Sequence, residues 1–373
     1  MLADATGPRH NQPVLRTLVK RARLGAWWRY RELEASQPRL TYLFWEATLA
    51  CNLACAHCGS DCIRATDTSQ ELTTAEAIAA FDAASRAAET PGDIIVAITG
   101  GEPLMRPDLF TVCKAITDRG MRLGLVTNGF RVQKDTVVRS ALVGLESLCV
   151  SIDGLEAEHD ALRGIRGSYR RAAGAVELYA RAGFLKALQV STSVSPRTLP
   201  QLPRLAERVR ELGATDWRLL SIFPNGRAAQ QRDLRLNRHQ LRELLTFIRD
   251  HRRAGGPVET YYSDEGYLGP EWEGEVRPYL YSCDAGTRVA GLYANGDIGA
   301  CPNIDRSLTF GNVRTDDFAE VWRTRFRRFR VRDWMKTGPC RDCDHWNVCR
   351  SNSLHLWDVQ KNRTKLCHLR WLM

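Results

Sequence analysis

The sequence contains no apolar run that approaches the ~20 residues needed to span a bilayer. Its first residues also lack the apolar stretch of an export signal. We therefore predict a cytoplasmic protein without a membrane partner. Twelve cysteines in such a chain favour metal ligation in a reducing compartment over a disulfide framework. With 373 residues, 44% of them hydrophobic, the chain is long enough for roughly two domains.

The net charge of +10 raises the question of a nucleic-acid partner. Between residues 322 and 332, arginines alternate with Trp322, Phe326 and Phe329, as they often do in nucleic-acid sites. These aromatics also fall at helical spacing, which favours one buried face with the arginines in solvent. No recognisable RNA-binding module accompanies the segment. We therefore predict no nucleic-acid partner, and expect the basic surface to suit an acidic one.

Three cysteines follow an apolar, β-prone stretch in the run Cys51-Asn-Leu-Ala-Cys55-Ala-His57-Cys58. Three closely spaced thiolates give an iron-sulfur cluster three ligands and leave one iron open to a substrate or cofactor. Zinc, with His57 or Cys62 as a further ligand, is the alternative, but the usual zinc spacings do not include CxxxCxxC. The run resembles the signature of the radical S-adenosylmethionine (SAM) enzymes. That family usually has an aromatic or imidazole ring before the third cysteine, as His57 is here.

Further polar strings follow apolar strands in chain order: Gly100-Gly101-Glu102-Pro103, Thr127-Asn128-Gly129, Ser151-Ile-Asp153 and Arg163-Gly164. Each alone fits a turn or a helix cap, but their order resembles the SAM-binding motifs of the family. The two glycines would let the backbone approach a ligand closely. The resemblance implies that the GGEP string binds the methionine amino group. It also implies that His57, Asn128 and the strand bearing Ser151 and Asp153 contact SAM, and that Arg163 meets the carboxylate.

Strand and helix signals alternate from about residue 40 to about residue 253, which predicts βα units around a parallel sheet. The predicted strands lie near 42–48, 94–99, 122–127, 147–152, 188–194 and 217–223. Six units match the partial (β/α)6 TIM-like barrel of the radical SAM family, an α/β fold with its active site at the strand carboxyl ends. We assign residues 1–39 to a basic N-terminal helix, 40–270 to the barrel and 271–373 to a small cysteine-rich domain, with 257–278 irregular.

Period-two alternation places Cys149 on the same strand face as Ser151. On the next strand, a polar row would line the barrel interior and contact substrate: Gln189, Ser191 and Ser193. Cys149 is either a hydrogen donor to a substrate radical or a small buried hydrophobe.

The last hundred residues hold six cysteines: Cys283, Cys301, Cys340, Cys343, Cys349 and Cys367. They resemble the SPASM domain, whose seven cysteines house two auxiliary iron-sulfur clusters. The resemblance implies that the last four ligate the outer cluster. Ser353 replaces an expected cysteine, which leaves the inner site only two ligands. A twitch-like domain would instead use the first four for one cluster, and a structural zinc at the CxxC is a third option.

Two other segments also bear on function. Arg227 lies in a Pro-x-Gly-Arg turn, ordinary in loops but similar to a string in SPASM proteins, and we include it as a substrate contact. Residues 13–33, with Trp27 and Trp28, predict a basic amphipathic helix that packs on the barrel. This helix is too short for the peptide-recognition domain of many relatives, so leader-peptide recognition would need a separate protein or another surface.

The resemblance implies an enzyme. An electron from a flavodoxin- or ferredoxin-type donor would enter a 4Fe-4S cluster, SAM would be cleaved, and a 5'-deoxyadenosyl radical would abstract hydrogen from substrate. We expect a ribosomally made precursor peptide, matured by oxidative crosslinking or a related reaction. One alternative is a dehydrogenase or epimerase of a sugar or aminocyclitol. Another is a non-catalytic iron-sulfur electron carrier.

Overall fold

The computed structural model describes residues 12–60, 62, 68–263 and 266–373, with side chains described from residue 22 onward. Most of its strands belong to one sheet. In chain order these are β1 (Tyr42–Glu46), β2 (Ile95–Thr99), β3 (Arg122–Thr127), β4 (Leu145–Ser151), β5 (Ala187–Val194), β6 (Asp216–Ser221), β7 (Glu259–Tyr262), β8 (Val289–Leu292) and β9 (Ile298–Gly299). A separate pair consists of β10 (Trp357–Asp358) and β11 (Arg363–Thr364).

Helices connect the strands from β1 to β7. With those at the two ends of the chain they are α1 (Gln12–Ser36), α2 (Thr74–Ser85), α3 (Leu109–Asp118), α4 (Lys134–Leu142), α5 (Glu156–Arg163), α6 (Ser168–Ala182), α7 (Leu202–Glu211), α8 (Arg238–Ala254), α9 (Phe318–Thr324), α10 (Arg327–Arg330), α11 (Trp346–Cys349) and α12 (His368–Leu372). Neighbouring strands from β1 to β7 are all parallel, as helical crossovers require. Among the described helices, none combines the length and apolarity of a membrane span.

The sheet order is β7-β6-β5-β4-β3-β2-β1-β8-β9. All six predicted strands are present, with each end within two residues of its predicted position, which confirms the barrel prediction. The expectation of irregular chain at 257–278 is wrong for β7, because Tyr262 is fully buried and the segment pairs with β6. β8 comes from the cysteine-rich part of the chain and pairs with β1, so that part shares the barrel's sheet.

Alternate residues of the strands pack under the helices. Trp45 is fully buried and meets the ring of Phe81 edge-on at 5.3 Å. Trp217 is equally enclosed and donates from Nε1 to Thr192 Oγ1 at 2.9 Å. Because side chains alternate along a strand, the residues between these positions face the barrel interior.

The N-terminal helix α1 packs on the cysteine-rich segment, and the expectation that it packs on the barrel is wrong. Trp27 donates from Nε1 to the Tyr281 carbonyl at 3.3 Å. Trp28 lies under the Arg350 guanidinium, with the carbon 3.8 Å from the ring centre. These large rings find their apolar partners there. The apolar and basic positions predicted from 13 to 21 lie outside the residues whose side chains are described.

The aromatic face predicted in the segment 322–332 is confirmed, since Trp322, Phe326 and Phe329 are at most 1% exposed. The expectation that the arginines of this segment lie in solvent is wrong for two of them. Arg330 binds the carbonyls of Gly286 and Trp322, and Arg332 binds that of Cys283. Buried carbonyl groups need hydrogen-bond donors. These two arginine side chains supply such donors and therefore have a structural role.

Candidate active site

The cysteine run lies in the loop that leaves β1, at the carboxyl end of the parallel strands. It borders a cavity of about 280 Å³. Predicted site residues that line this cavity are Cys51, Cys55, His57, Cys58, Gly100, Gly101, Asn128, Ser151, Arg163, Ser193 and Arg227. Strand ends therefore bring together residues that lie far apart in the sequence. The other predicted residues of the barrel lie behind the wall of the cavity or deeper in the barrel, and the six C-terminal cysteines lie in the cysteine-rich segment.

Two side chains from other segments hold the cysteine loop. Glu71 accepts bonds from Thr48 Oγ1 at 2.9 Å and from the Leu49 N–H at 2.7 Å. Arg227 donates to the carbonyls of Cys55 at 3.0 Å and Cys62 at 2.7 Å. Neither anchor role was predicted from the sequence, because neither residue stands near the loop in the chain. Arg227 borders the cavity as well, and its contact with substrate stays a prediction.

The thiols of the loop differ in their surroundings. Burial raises the pKa of the Cys51 thiol to about 11, whereas a hydrogen bond from the Cys62 thiol lowers the pKa of Cys58. Since thiolates are the metal-binding form, iron has to displace a proton at Cys51.

The spacing of the loop cysteines bears on the choice of metal. A single zinc ion needs four ligands within about 2.3 Å. In the described part of the chain, no three Cys, His, Asp or Glu side chains converge on one metal-ion position. Cys51, Cys55 and Cys58 instead border one cavity of about 280 Å³, which has room for a larger group.

The two glycines of the GGEP string permit a close approach, but of the chain itself. Gly100 has φ +136°, and a Cβ there would overlap the Thr48 carbonyl. A Cβ on Gly101 would overlap the Ala50 carbonyl. These glycines thus let the cysteine loop pack on the end of β2. Both also border the cavity, and their close approach to a ligand stays a prediction.

Glu102 is fully buried and does not border the cavity. Burial raises the pKa of its carboxyl group. Its oxygens accept bonds from Thr127 Oγ1 and the Asn128 N–H, both at 2.8 Å, and from the Leu104 N–H at 3.1 Å. Pro103, also buried, begins the short helical turn that follows. Glu102 thus joins the ends of β2 and β3, and its contact with SAM stays a prediction.

Asn128 connects the end of β3 to the cysteine loop. Its Nδ2 donates to Asn52 Oδ1 at 2.9 Å, and its Oδ1 accepts the Phe130 N–H at 2.9 Å. Both polar atoms of the amide are therefore engaged at the rim of the cavity.

Asp153 is 1% exposed and forms the centre of a charged cluster. Its Oδ2 lies 2.6 Å from Arg163 Nη2 and 3.1 Å from His57 Nε2. Its Oδ1 accepts the Ser193 N–H at 2.8 Å. Although burial opposes the charge, Arg163 and His57 hold the pKa of Asp153 well below its ordinary value. The carboxylate is fully engaged by protein groups, so its contact with SAM stays a prediction.

The interior face of the sheet carries a second polar group, below the cavity. Cys149, 7% exposed, has Sγ at 3.7 Å from Nη2 of Arg218. Gln189 donates to the Tyr261 hydroxyl, and Ser191 is buried at the neighbouring position. The predicted polar row therefore lies in the barrel interior, while its substrate contacts and the hydrogen-donor role of Cys149 stay predictions.

Sequence reasoning missed Arg218, the charged member of this interior group. Alternation along β6, with the apolar Trp217 and Leu219 on the face towards the helices, would have placed it inward. The register that brings it beside Cys149 depends on tertiary pairing.

The cysteines near the C-terminus form two groups. Burial is the main cause that raises the pKa of the Cys349 thiol, and the charges of Cys367, Cys340 and Cys343 raise it further. These four cysteines therefore lie near one another. Cys283 acts in the same way on Cys301, whose pKa is raised to about 12 mainly by burial. The outer-cluster arrangement, in which the last four cysteines are the ligands, stays a prediction.

Ser353, which stands where a further cysteine was expected, is 2% exposed. Its Oγ lies 3.2 Å from the Tyr281 hydroxyl. The charges of Cys283 and Cys349 both act on the pKa of Tyr281, so this tyrosine lies between the two groups of cysteines.

Comparison with known proteins decides the family. Residues 45–194 match the Radical SAM superfamily, and residues 283–344 match SPASM, an iron-sulfur cluster-binding domain. The chain belongs to the radical SAM superfamily. It is therefore an enzyme, and its cofactors are SAM, the 4Fe-4S cluster that binds SAM, and auxiliary iron-sulfur.

Two curated relatives cover most of this radical SAM chain. An AdoMet-dependent heme synthase of Oleidesulfovibrio alaskensis is 31% identical over 86% of this chain and 84% of its own length. The mycofactocin maturase MftC of Mycobacterium ulcerans is 32% identical over 84% of this chain and 82% of its own length. Among solved structures, Streptococcus suis SuiB bound to precursor peptide SuiA has a TM-score of 0.65 at 16% identity, covering 95% of this chain and 80% of that one. This likeness shows a shared fold.

Proposed function

We propose that this radical SAM enzyme matures a ribosomally made precursor peptide by oxidation, in the cytoplasm. The observation that carries the proposal is the cavity in which Cys51, Cys55 and Cys58 face the strand ends. Bound there, the cluster and SAM supply a 5'-deoxyadenosyl radical that removes hydrogen from the substrate. Cysteines spaced for metal ligation favour a reducing compartment.

Protein groups around the cavity would position and shield the cofactors. The three loop cysteines would hold the cluster, and Gly100, Gly101, Asn128 and Ser151 would surround SAM. Arg163 lies beside Cys55, with Nη1 at 3.7 Å from Sγ, where its charge favours the thiolate. The buried Asp153 keeps that guanidinium in place.

The C-terminal cysteines support an oxidative reaction. Four ligands would close every iron of an auxiliary cluster, which suits electron transfer. Such a cluster could receive the electron that a product radical loses. A flavodoxin- or ferredoxin-type donor would supply the first electron, and the net charge of +10 favours such acidic partners.

The proposal of a peptide substrate rests on similarity to two proteins. One is named a maturase, and the other is a structure bound to a precursor peptide. Leader recognition would use a separate protein or another surface. The similarity to heme synthases makes heme synthesis the second candidate function.

The test is anaerobic purification, cluster reconstitution, and measurement of iron per chain and of 5'-deoxyadenosine released from SAM under reduction. Cys51→Ala should abolish release and lose about four irons, and Cys340→Ala should lose about four irons. The control is Cys113→Ala, which changes a cysteine buried in α3 and should keep all iron.

Substrate is then tested by mass spectrometry with precursor peptides encoded beside the gene and, separately, with heme precursors. Peptide that loses hydrogen only with the wild-type enzyme supports the first candidate. Conversion of a heme precursor alone would replace it by the second. A protein that holds iron but does not cleave SAM would be a non-catalytic iron-sulfur electron carrier instead.

A further inference from the structure

Arg218 places a positive charge inside the barrel, on the interior face of β6. Its Nη2 lies 3.7 Å from Cys149 Sγ, a weak acceptor. Its Nε is buried and has no hydrogen-bond partner in the described part of the chain. Burying an arginine whose N–H donors lack good acceptors costs free energy.

The surroundings of Arg218 supply no carboxylate partner within ion-pair distance among the described residues. The neighbours whose charges act most on its pKa are the Cys149 thiol and the hydroxyls of three tyrosines: Tyr261, Tyr42 and Tyr279. Burial raises the pKa values of Tyr42 and Tyr261, so their hydroxyls carry no negative charge at ordinary pH. The half-buried Arg218 therefore has no carboxylate counterion among the described residues.

Three other enclosed arginines of the described chain each have a carboxylate or carbonyl partner, which sets Arg218 apart. Arg163 pairs with Asp153 at 2.6 Å, and Arg277 pairs with Glu273 at 3.1 Å. Arg330, which has no carboxylate partner either, donates to backbone carbonyls instead. Packing requirements alone therefore do not account for an arginine at position 218.

The position of Arg218 relates it directly to the cavity. In the register of the sheet, Arg218 is opposite Ser191, and Ser191 is opposite Ser151. Ser151 lines the cavity, as does Leu220 two residues further along β6. Residues two apart on a strand are about 7 Å apart, so Arg218 lies next to residues that line the cavity, one step further into the barrel.

A guanidinium in a low-dielectric site binds a carboxylate through two parallel hydrogen bonds. The neighbouring Gln189 and Tyr261, bonded to each other, add an amide and a hydroxyl beside it. We propose that Arg218 is a substrate-binding residue that takes a carboxylate group of the substrate in the barrel interior, below the cavity that the cysteine loop borders. The proposal rests on the proposed function, in which the carboxylate is the C-terminus of the peptide or an Asp or Glu side chain.

The first test is independent of turnover and uses the anaerobically reconstituted enzyme. Thermal unfolding is followed with sodium propionate and with neutral propionamide. Binding of propionate to the folded state should raise the melting temperature of the wild type by about 2 °C or more at saturation, and propionamide should not. Arg218→Gln should abolish that shift. The control Arg122→Gln, which changes an arginine paired with Glu146 at 2.7 Å, should keep it.

The free protein provides a second readout. If position 218 holds an unpaired buried charge, Arg218→Gln should melt at or above the wild-type temperature, because a neutral side chain replaces it. A structural arginine would instead lower the melting temperature on substitution. Arg218→Lys keeps the positive charge but loses the two parallel N–H donors of the guanidinium. Propionate should therefore raise its melting temperature less than that of the wild type. A propionate shift that survives in both variants would overturn the proposal.

Peptide kinetics distinguish the two sources of the carboxylate. With the C-terminus as the source, amidation of the peptide should raise KM at least tenfold for the wild type, and Arg218→Gln should treat acid and amide alike. With a side chain as the source, Asp→Asn or Glu→Gln in the peptide should have that effect instead. Peptide affected by neither change would overturn the proposal. A wild-type enzyme that releases no 5'-deoxyadenosine would refute the proposed function alone, since the propionate test does not depend on it.

Discussion

Arg163 and Asp153 form a buried ion pair in which Nε and Nη2 of the arginine both lie 2.6 Å from Oδ2 of the carboxylate. Their side chains are 12% and 1% exposed, so solvent screens the pair little. The third nitrogen, Nη1, lies 3.7 Å from Cys55 Sγ. The pair therefore couples the end of β4 to the loop that carries the cysteines.

Asp153→Asn should destabilise the enzyme strongly, because it leaves Arg163 buried without its counterion. We expect the free energy of unfolding to fall by about 3–5 kcal/mol in anaerobic urea titrations. The control is Glu146→Gln, which breaks pairs with the more exposed Arg122 and Lys186 and should cost less than about 1 kcal/mol. Equal losses in the two variants would contradict the importance of the buried pair.

Gly101→Ala should displace the cysteine loop, since the added Cβ would overlap the Ala50 carbonyl. We expect loss of about four irons per chain after reconstitution, together with loss of 5'-deoxyadenosine release. Gly174→Ala is the matched control, because Gly174 lies within α6 with open space around its Cβ position. A Gly101→Ala enzyme with its full iron content would show that the loop can shift without harm.

Iron counts in the C-terminal variants should separate the two auxiliary arrangements. If the last four cysteines ligate the cluster, Cys349→Ala should lose about four irons and Cys283→Ala should lose none. A twitch-like site would give the opposite result, because it includes Cys283 and excludes Cys349. We expect the first pattern, since Cys349 groups with Cys340, Cys343 and Cys367.

His355 should make the fold sensitive to acid. Burial lowers the pKa of its imidazole to about 3 from 6.5, so the folded chain keeps it neutral while the unfolded chain binds a proton below pH 6.5. Stability should therefore be lost as the pH falls from about 6.5 towards 3, by at most about 1.4 kcal/mol per pH unit.

The variant His355→Phe checks this contribution. Its ring can keep the contact with Phe223, whose centre is 4.5 Å away, and it should flatten the slope of unfolding free energy between pH 6 and 4. His239→Phe changes an exposed histidine of α8 and serves as control. The same slope in His355→Phe and in the wild type would refute the assignment.

Gln189→Ala should lower turnover if the interior row contacts substrate. It removes the amide bonded to Tyr261 beside Arg218, and loss of one such hydrogen bond is worth about 1 kcal/mol. We expect a five- to tenfold fall in kcat/KM, measured with the matured peptide as product. Unchanged kinetics would remove Gln189 from the substrate site.

The cysteine ligands and strands could be predicted because local patterns specify them. CxxxCxxC needs only a short loop, and an apolar stretch of five or six residues in a βα alternation needs only its neighbours in the chain. The role of Asp153 could not be predicted in full. Its polar partners His57 and Arg163 come from separate segments, and only folding shows that both contact Oδ2 while the Ser193 N–H bonds to Oδ1.

Arg218 and α1 show the other limit of sequence reasoning. The inward direction of Arg218 follows from alternation along β6. That no carboxylate lies beside it among the described residues depends on how several strands come together. The basic and apolar pattern of α1 predicts a helix, whereas the surface that it covers is set by Trp27 and Trp28 meeting the cysteine-rich segment.

The pairing of β8 with β1 has a consequence for synthesis of the chain. β1 carries the cysteine loop at its end, and its outer edge stays uncovered until residues 289–292 have left the ribosome. An unpaired strand edge is a template for association with other chains, and closing contacts across some 250 residues is slow. During translation, the segment that will bind the SAM cluster is therefore next to the most vulnerable edge of the molecule. Truncation before residue 289 should yield protein that aggregates, even with every residue of the first six strands in place.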